Sequence, residues 1–278
     1  MKKVVALAFA CSLLLVGCGS GSKANKDTNT GKEKLTVGME CGYAPYNWQT
    51  KNQTDSSVSI GGAGYCDGYD VMMARKLADS LGREVVVKKI AWDGLTTAVD
   101  KGEIDVIIAG MTKNAEREKG TDFTSPYFDA EAVVMIVRKD SPEAKLTNIK
   151  DFAGKKVMGQ KNTNYDDVIN QIKDVDHMTP KSTYPQLILA LQSKETDAIT
   201  AELPVAEGLV KANNDLMMIR FDKDKGFDYD TTVSIGMKKG SKDSQLYKDI
   251  ESALAKIKQE ERKEMMLKAI DSQPKVGE

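Results

Sequence analysis

The sequence predicts an α/β fold in two lobes, and three observations carry that prediction. Short apolar runs alternate with amphipathic segments along most of the chain, as strands and helices do when they follow one another. From Lys34 to Asp271 there are about 240 residues, enough for two lobes with separate cores. Two extended passages, 126–138 and 227–237, lie about a hundred residues apart, and a chain that crosses twice between lobes inserts the second into the first.

Residues 1–18 read as an export signal. Lys2 and Lys3 supply the positive start and 4–16 an almost wholly apolar core, too short to span a bilayer as a permanent helix. The run closes on Leu15-Val16-Gly17-Cys18. Directly behind an apolar core this resembles the lipobox of bacterial lipoproteins, with Cys18 as the lipid attachment; the alternative is an ordinary cleaved signal containing cysteines. Residues 19–33 (GSGSKANKDTNTGKE) are too polar to build a core and suit a flexible tether reaching roughly 20 Å. The sequence thus describes a domain held outside the cell membrane by lipid, and such anchoring favours a Gram-positive host.

Strands are expected at 35–39, 84–90, 105–109, 132–138, 155–159, 197–201, 216–221 and 231–237, where apolar and β-branched residues cluster. Helices are expected between them. Residues 69–81 place Tyr69, Met72, Met73, Lys76, Leu77 and Ser80 on one face, with Gly82 as a stop. Others are expected at 95–101, 165–172, 185–192 and 204–212, and one long terminal helix at 244–270.

Charge is nearly balanced, 40 basic against 41 acidic residues, and loss of Lys2 and Lys3 makes it slightly more acidic. Nothing in that balance recruits nucleic acid. Cys11 leaves with the signal and Cys18 carries lipid, so Cys41 and Cys66 remain in an oxidising compartment, either bonded to each other or free. The single histidine, His177, lies in a polar stretch and reads as a solvated loop residue; it disfavours a catalytic metal site. The glycine-rich 61–68 lacks the Gly-Lys-Ser/Thr of a phosphate loop and reads as a loop, of a hairpin that begins at Asn47. Asp67 and Asp70 lack the alternating oxygen ligands of a calcium loop.

The chemistry concentrates in Ile107–Phe128, IIAGMTKNAEREKGTDFTSPYF. A strand that ends in Ala109-Gly110 offers backbone N–H groups with little steric cover, Thr112 adds a hydroxyl and suits a helix N-cap, and Arg117 can fork two bonds onto a carboxylate. On residue types alone two readings stand open: an anion receptor, or a capped turn with a surface arginine.

Four stretches, LTVGMECGYAPYNW, GYDVMMARKLA, AWDGLTTAVDKGEIDVIIAGMTKNAEREKGTDFTSPYF and DAITAELPVA, in that order, resemble the signatures of the polar amino acid-binding proteins of bacterial ABC importers (solute-binding protein family 3). The likeness covers nearly all of the chain after the tether. It implies a bilobal periplasmic-binding-protein-like fold of type II, two α/β lobes joined by a two-strand hinge. Residues 34–128 and 236–278 would form lobe 1, 133–227 lobe 2, and 129–132 with 228–235 the hinge.

The resemblance also implies roles. Arg117 binds the ligand carboxylate, helped by Thr112 and by backbone N–H at Gly110 and in the Asn162-Thr163-Asn164 turn. Ala109 and Gly110 stand where related proteins often carry serine, so contact there is expected through the main chain. Tyr43 and Trp92 match the aromatic pair that sandwiches the ligand side chain, against the alternative of core packing. Glu202 replaces the family's aspartate that accepts the ligand ammonium. Glu40 matches the position that reaches the distal end of the ligand in basic amino acid binders, where a carboxylate favours a cationic or amide-bearing ligand and disfavours glutamate. The expected protein is a binder with no cofactor and no metal, a monomer whose partners are a polar L-amino acid, arginine, lysine or histidine ahead of glutamine, and an ABC permease. The competing readings are a dehydratase-like enzyme using Glu202 or Glu40 as acid or base, and a ligand-sensing domain.

Overall fold

The computed structural model describes residues 31–222 and 224–274; the signal, Cys18 and the first part of the tether lie outside them. Along the chain the elements are β1 (Lys34–Met39), β2 (Gly42–Tyr43), β3 (Asn47–Thr50), β4 (Val58–Ser59), β5 (Tyr65–Asp67), α1 (Tyr69–Ser80), β6 (Glu84–Lys89), α2 (Leu95–Asp100), β7 (Val106–Ile107), α3 (Arg117–Gly120) and β8 (Thr121–Asp129). There follow β9 (Val133–Arg138), β10 (Lys156–Met158), α4 (Asn164–Asp167), β11 (Asp176–His177), α5 (Tyr184–Gln192), β12 (Ala198–Glu202), α6 (Leu203–Ala212) and β13 (Leu216–Ile219). The chain ends with β14 (Thr232–Lys238), α7 (Gln245–Lys256) and α8 (Gln259–Ser272).

These strands form two five-stranded sheets, one per lobe, in the orders β6-β1-β7-β14-β8 and β11-β10-β12-β9-β13, and a small sheet β2-β3-β5-β4. Each large sheet is mixed. β1 runs parallel to β6 and β7 while β14 runs antiparallel to β7 and β8; β10 runs parallel to β11 and β12 while β9 runs antiparallel to β12 and β13. The first lobe's core lies where Leu35, Val37 and Met39 of β1 meet Met73 and Leu77 of α1, all fully buried. In the second lobe all six residues of β9 are buried. Val134 and Ile136 face one apolar cluster and Met135 and Val137 another, because a strand covered on both faces alternates its side chains between two cores.

The chain leaves the first large sheet after Asp129 to enter the second at Val133, and rejoins the first at Thr232. The two passages lie side by side: Ala130 N–H donates to Thr231 O at 3.2 Å, and Asp129 pairs with Thr232 in the β8/β14 ladder. That ladder shifts register twice, between Val233 and Ser234 and between Ser234 and Gly236.

Several expectations change. The long terminal helix is two helices, broken where Ile257 and Lys258 turn extended (ψ 110° and 154°). Arg262 holds the break, since Nη2 donates to Leu254 O at 2.6 Å and Nε to Ile257 O at 3.1 Å, taking carbonyls that a helix end leaves unpaired. The strand expected at 105–109 keeps only Val106 and Ile107 in the ladder. The helix expected at 165–172 is a short α-turn, Asn164–Asp167, followed by a 3₁₀ turn, Val168–Gln171. The hairpin from Asn47 pairs β3 with β5, so 65–67 of the glycine-rich stretch is strand. His177 ends a short strand and sits 2.9 Å from Asp166, partly covered rather than solvated. No described helix is long and apolar enough to cross a membrane, and no cluster of metal-ligating side chains occurs among the described residues.

Candidate functional site

The cleft between the lobes is built by the ends of strands. β1 delivers Glu40 to it, and the chain then turns through Cys41, whose backbone is left-handed (φ 49°). Cys41 is bonded to Cys66 on β5, so the small sheet is fastened directly behind the segment that carries Tyr43 and Tyr46. From β7 the chain leaves the first sheet at Ala109-Gly110. Gly110 is left-handed (φ 59°), and a Cβ there would lie 2.9 Å from Tyr43 Cε1, so glycine lets the Tyr43 ring rest on the backbone.

Arg117, Thr112, Trp92, Gly110 and Tyr43 come together on one wall of a cavity, with Thr163, Asn164, Gln160 and Tyr165 on the other. The Arg117 guanidinium carbon sits 5.0 Å from the centre of the Trp92 ring, a cation–π geometry. Its Nη1 donates to Thr112 O at 2.5 Å and its Nη2 to Asn162 O at 3.1 Å, and Trp92 Nε1 donates to the same Asn162 carbonyl at 3.1 Å. Asn162 is left-handed (φ 58°), which turns that carbonyl across the cleft, and its Nδ2 donates to Asp93 at 2.7 Å. Arg117 forms no salt bridge among the described residues. Burial lowers its pKa from the usual value. Around it Thr112 Oγ1, Asn164 Nδ2 and Tyr165 Oη are buried and have no hydrogen-bond partner among the described residues.

Two expected contributors are occupied elsewhere. The Gly110 N–H donates to Tyr127 Oη at 2.9 Å, and that hydroxyl donates to Asp70 Oδ1 at 2.7 Å; it is therefore a strut and not an open donor. Ala109 is buried in the core and does not line the cavity. Thr112 does not cap the helix; Asn114 does, accepting from Arg117 N at 2.8 Å while its own amide donates to Asn164 Oδ1 at 2.6 Å across the cleft.

Glu202 ends β12 and is fully buried. Tyr43 Oη and Tyr46 Oη, from the other lobe, donate to its two oxygens, the latter at 2.8 Å. Burial raises its pKa from 4.5 to about 7, against the lowering effect of those bonds. Glu202 does not line the cavity; its carboxylate is held by Tyr43 and Tyr46. Glu40 is also nearly covered, and burial raises its pKa to about 7, opposed by Gln160, whose Nε2 lies 3.5 Å away. Tyr43 stacks on Tyr46 with centroids 5.3 Å apart and leans on Tyr184 at 5.0 Å. The expected Tyr43 and Trp92 pair thus shares the cavity but splits its duties, Tyr43 in a tyrosine cluster and Trp92 under the arginine. Sequence reasoning missed Tyr46, Tyr165, Tyr184 and Gln160; the Tyr-Ala-Pro-Tyr repeat at 43–46 was the signal for the first.

Comparison with known proteins fits this construction. Residues 35–270 match the model of the bacterial extracellular solute-binding proteins, family 3. The chain is 30% identical over 220 residues to the arginine-binding extracellular protein ArtP of Bacillus subtilis, covering 78% of this chain and 79% of that one. It is 29% identical over 261 residues to the L-cystine-binding protein TcyJ of Escherichia coli, covering 92% and 89%. Among solved structures, the amino acid ABC transporter substrate-binding protein AbpA of Streptococcus pneumoniae, bound to L-arginine, superposes with a TM-score of 0.72 at 27% identity, covering 87% of this chain and 96% of that one. With a family match that spans both lobes, the chain belongs to the bacterial extracellular solute-binding proteins, family 3, as an amino acid-binding protein of an ABC transporter.

Proposed function

We propose that this protein captures a polar L-amino acid with a cationic or amide side chain, arginine, lysine or histidine ahead of glutamine, and delivers it to an ABC permease from a lipid anchor at Cys18. The observation that carries the reading is Arg117. It is a half-buried guanidinium stacked on Trp92, satisfied only by backbone carbonyls, facing donors that lack acceptors. Such an arrangement suits a ligand carboxylate. Thr112 and the Asn162-Thr163-Asn164 turn would share that group. Glu40 and Glu202 supply negative charge behind the cavity, and the ligand cation would draw Glu202 away from Tyr43 and Tyr46. Charge-assisted bonds of about 1.5 to 3 kcal/mol each, several together, suffice for the roughly 8 kcal/mol of a micromolar site.

In this reading 129–132 and 228–235 form the hinge about which the lobes close, and the protein works as a monomer. The named ligands of three relatives support the class, arginine for ArtP, histidine for the probable histidine-binding protein of Campylobacter jejuni and glutamine for GlnH of Bacillus subtilis, whereas the L-cystine of TcyJ has neither a basic nor an amide side chain. A thermal-shift screen against all twenty amino acids tests it. One or two basic amino acids should raise the melting point, and no shift with any amino acid would sink the reading. Arg117→Ala should abolish the shift and leave the unliganded melting point nearly unchanged; a large loss of unliganded stability would mark Arg117 as structural instead.

A further inference from the structure

Asp70 stands in the first turn of α1, is fully buried, and forms no salt bridge among the described residues. Two segments of the cleft wall are fastened to it. Its backbone N–H donates to Tyr46 O at 2.8 Å, that of Tyr69 donates to Pro45 O at 3.0 Å, and Asn47 Nδ2 donates to Asp70 Oδ2 at 2.8 Å, which fixes 45–47, next to Tyr43, on the start of α1. The other carboxylate oxygen, Oδ1, accepts from Tyr127 Oη, and that hydroxyl accepts from the Gly110 N–H. Beyond Ile107 the backbone has left the β7 ladder and is located by single bonds: Gly110 N–H to Tyr127, Ser234 N–H to Met111 O at 2.8 Å, and Arg117 Nη1 to Thr112 O at 2.5 Å. Asn47, Asp70 and Tyr127 are all fully buried. Burial raises the Asp70 carboxyl to about 6 against the bonds from Tyr127 and Asn47, a desolvation that apolar side chains in the same space would avoid.

We infer that Asp70 is a positioning residue of the binding site: through Asn47 and Tyr127 it sets the spacing between the Tyr43–Tyr46 stack and the seat of Arg117, and so tunes the grip on the ligand carboxylate. The inference rests on the reading that Arg117 takes an amino acid carboxylate. Neither Asp70 nor Tyr127 lines the cavity, so both act through the backbone they hold. The bond at Gly110 stands two residues from the carbonyl that carries the guanidinium; without it Thr112 O and Arg117 lose an anchor, and a receptor that must match a planar carboxylate tolerates little drift.

Tyr127→Phe in the whole mature protein tests this, because the ring keeps its place on Tyr69, with centroids 6.0 Å apart, and only the hydroxyl is lost. It is read by calorimetric titration with L-arginine and with L-argininamide, which lacks the carboxylate, and by hydrogen exchange of the unliganded backbone. L-arginine binding should weaken about tenfold, as loss of one charge-assisted bond implies, and the preference for L-arginine over L-argininamide should narrow by the same factor. Amides at 109–113 should exchange faster. A preference as steep as the parent's, or unchanged exchange at 109–113, would overturn the inference. Asp70→Ala should behave as Tyr127→Phe does, and Asp70→Asn should recover most of the affinity: it keeps an acceptor for Tyr127, and Asn47 can turn its amide to present Oδ1, which has no hydrogen-bond partner among the described residues. A loss in Asp70→Asn as deep as in Asp70→Ala would assign the effect to charge and overturn the relay. If Arg117→Ala abolishes binding while Tyr127→Phe leaves it unchanged, the functional reading survives and the relay falls. A parent that binds no amino acid removes the functional reading, and faster exchange at 109–113 in Tyr127→Phe would still uphold the hold of Asp70 on that segment.

Discussion

Glu202 and Glu40 make the site's charge depend on pH. Burial raises both carboxyls from 4.5 to about 7, so the folded protein holds protons that the unfolded chain has released between those values. Stability of the unliganded protein therefore falls as pH rises from about 4.5 to about 7. A cationic ligand favours the ionised carboxylates, so its affinity runs the other way. We expect the dissociation constant for L-arginine to tighten between pH 5.5 and 8, by up to roughly tenfold per pH unit for each carboxylate that must ionise. Calorimetric titration across that range checks it: Glu40→Gln should flatten the profile, and a flat profile in the parent would remove the electrostatic argument. Arg117, Thr112 and the 162–164 turn were expected through the family resemblance and not from spacing alone, and Arg117, Thr112, Thr163 and Asn164 line one cavity. The fate of the Gly110 N–H was not expected, since its partner Tyr127 arrives from β8, in a pairing no local pattern encodes.

The strands that the sequence hid are the short and polar ones. β2 to β5 form a four-stranded sheet of two- to four-residue strands, in which hydrophobic alternation has too little length to register. β8 escaped for another reason: Thr121, Asp122, Thr124, Ser125 and Pro126 dilute it, and it lies at the edge of its sheet, where proline is tolerated. The break between α7 and α8 carries no glycine or proline and is set by Arg262, a tertiary cause. The small sheet relies on its crosslink. With a separation of 25 residues between Cys41 and Cys66, the bond should stabilise by about 3 kcal/mol on the chain-entropy model. Replacing both cysteines by alanine should lower the denaturant midpoint accordingly and weaken ligand binding through Glu40 and Tyr43; an unchanged midpoint in chemical unfolding would show that the sheet holds itself.

At the scale of the whole molecule, the two-lobed α/β fold was readable because alternation of strand and helix persists over the chain and extended segments interrupt it. Which ends of those elements meet was not, because Tyr46, Tyr165, Tyr184 and Gln160 converge only when two separate cores have formed. The proposed anchor belongs to this scale too. Cys18→Ala should shift the protein from the membrane pellet to the soluble fraction or leave it unprocessed, as radiolabelled palmitate and fractionation would report; equal membrane retention with cleavage elsewhere would refute lipidation at that residue.

The side-by-side passages have a mechanical meaning. Two strands joined edge to edge make a ribbon, which flexes readily out of its own plane and resists bending within it. Lobes linked by a ribbon swing like a door on a strip hinge and have little of the freedom of a ball joint. On the proposed hinge, the line of that swing would follow the pairing of Ala130 with Thr231 and the two register shifts in β8/β14. Those pairings decide which groups face each other when the door shuts, so inserting or deleting one residue in β14 would aim an otherwise intact Arg117 at the wrong part of the opposite wall.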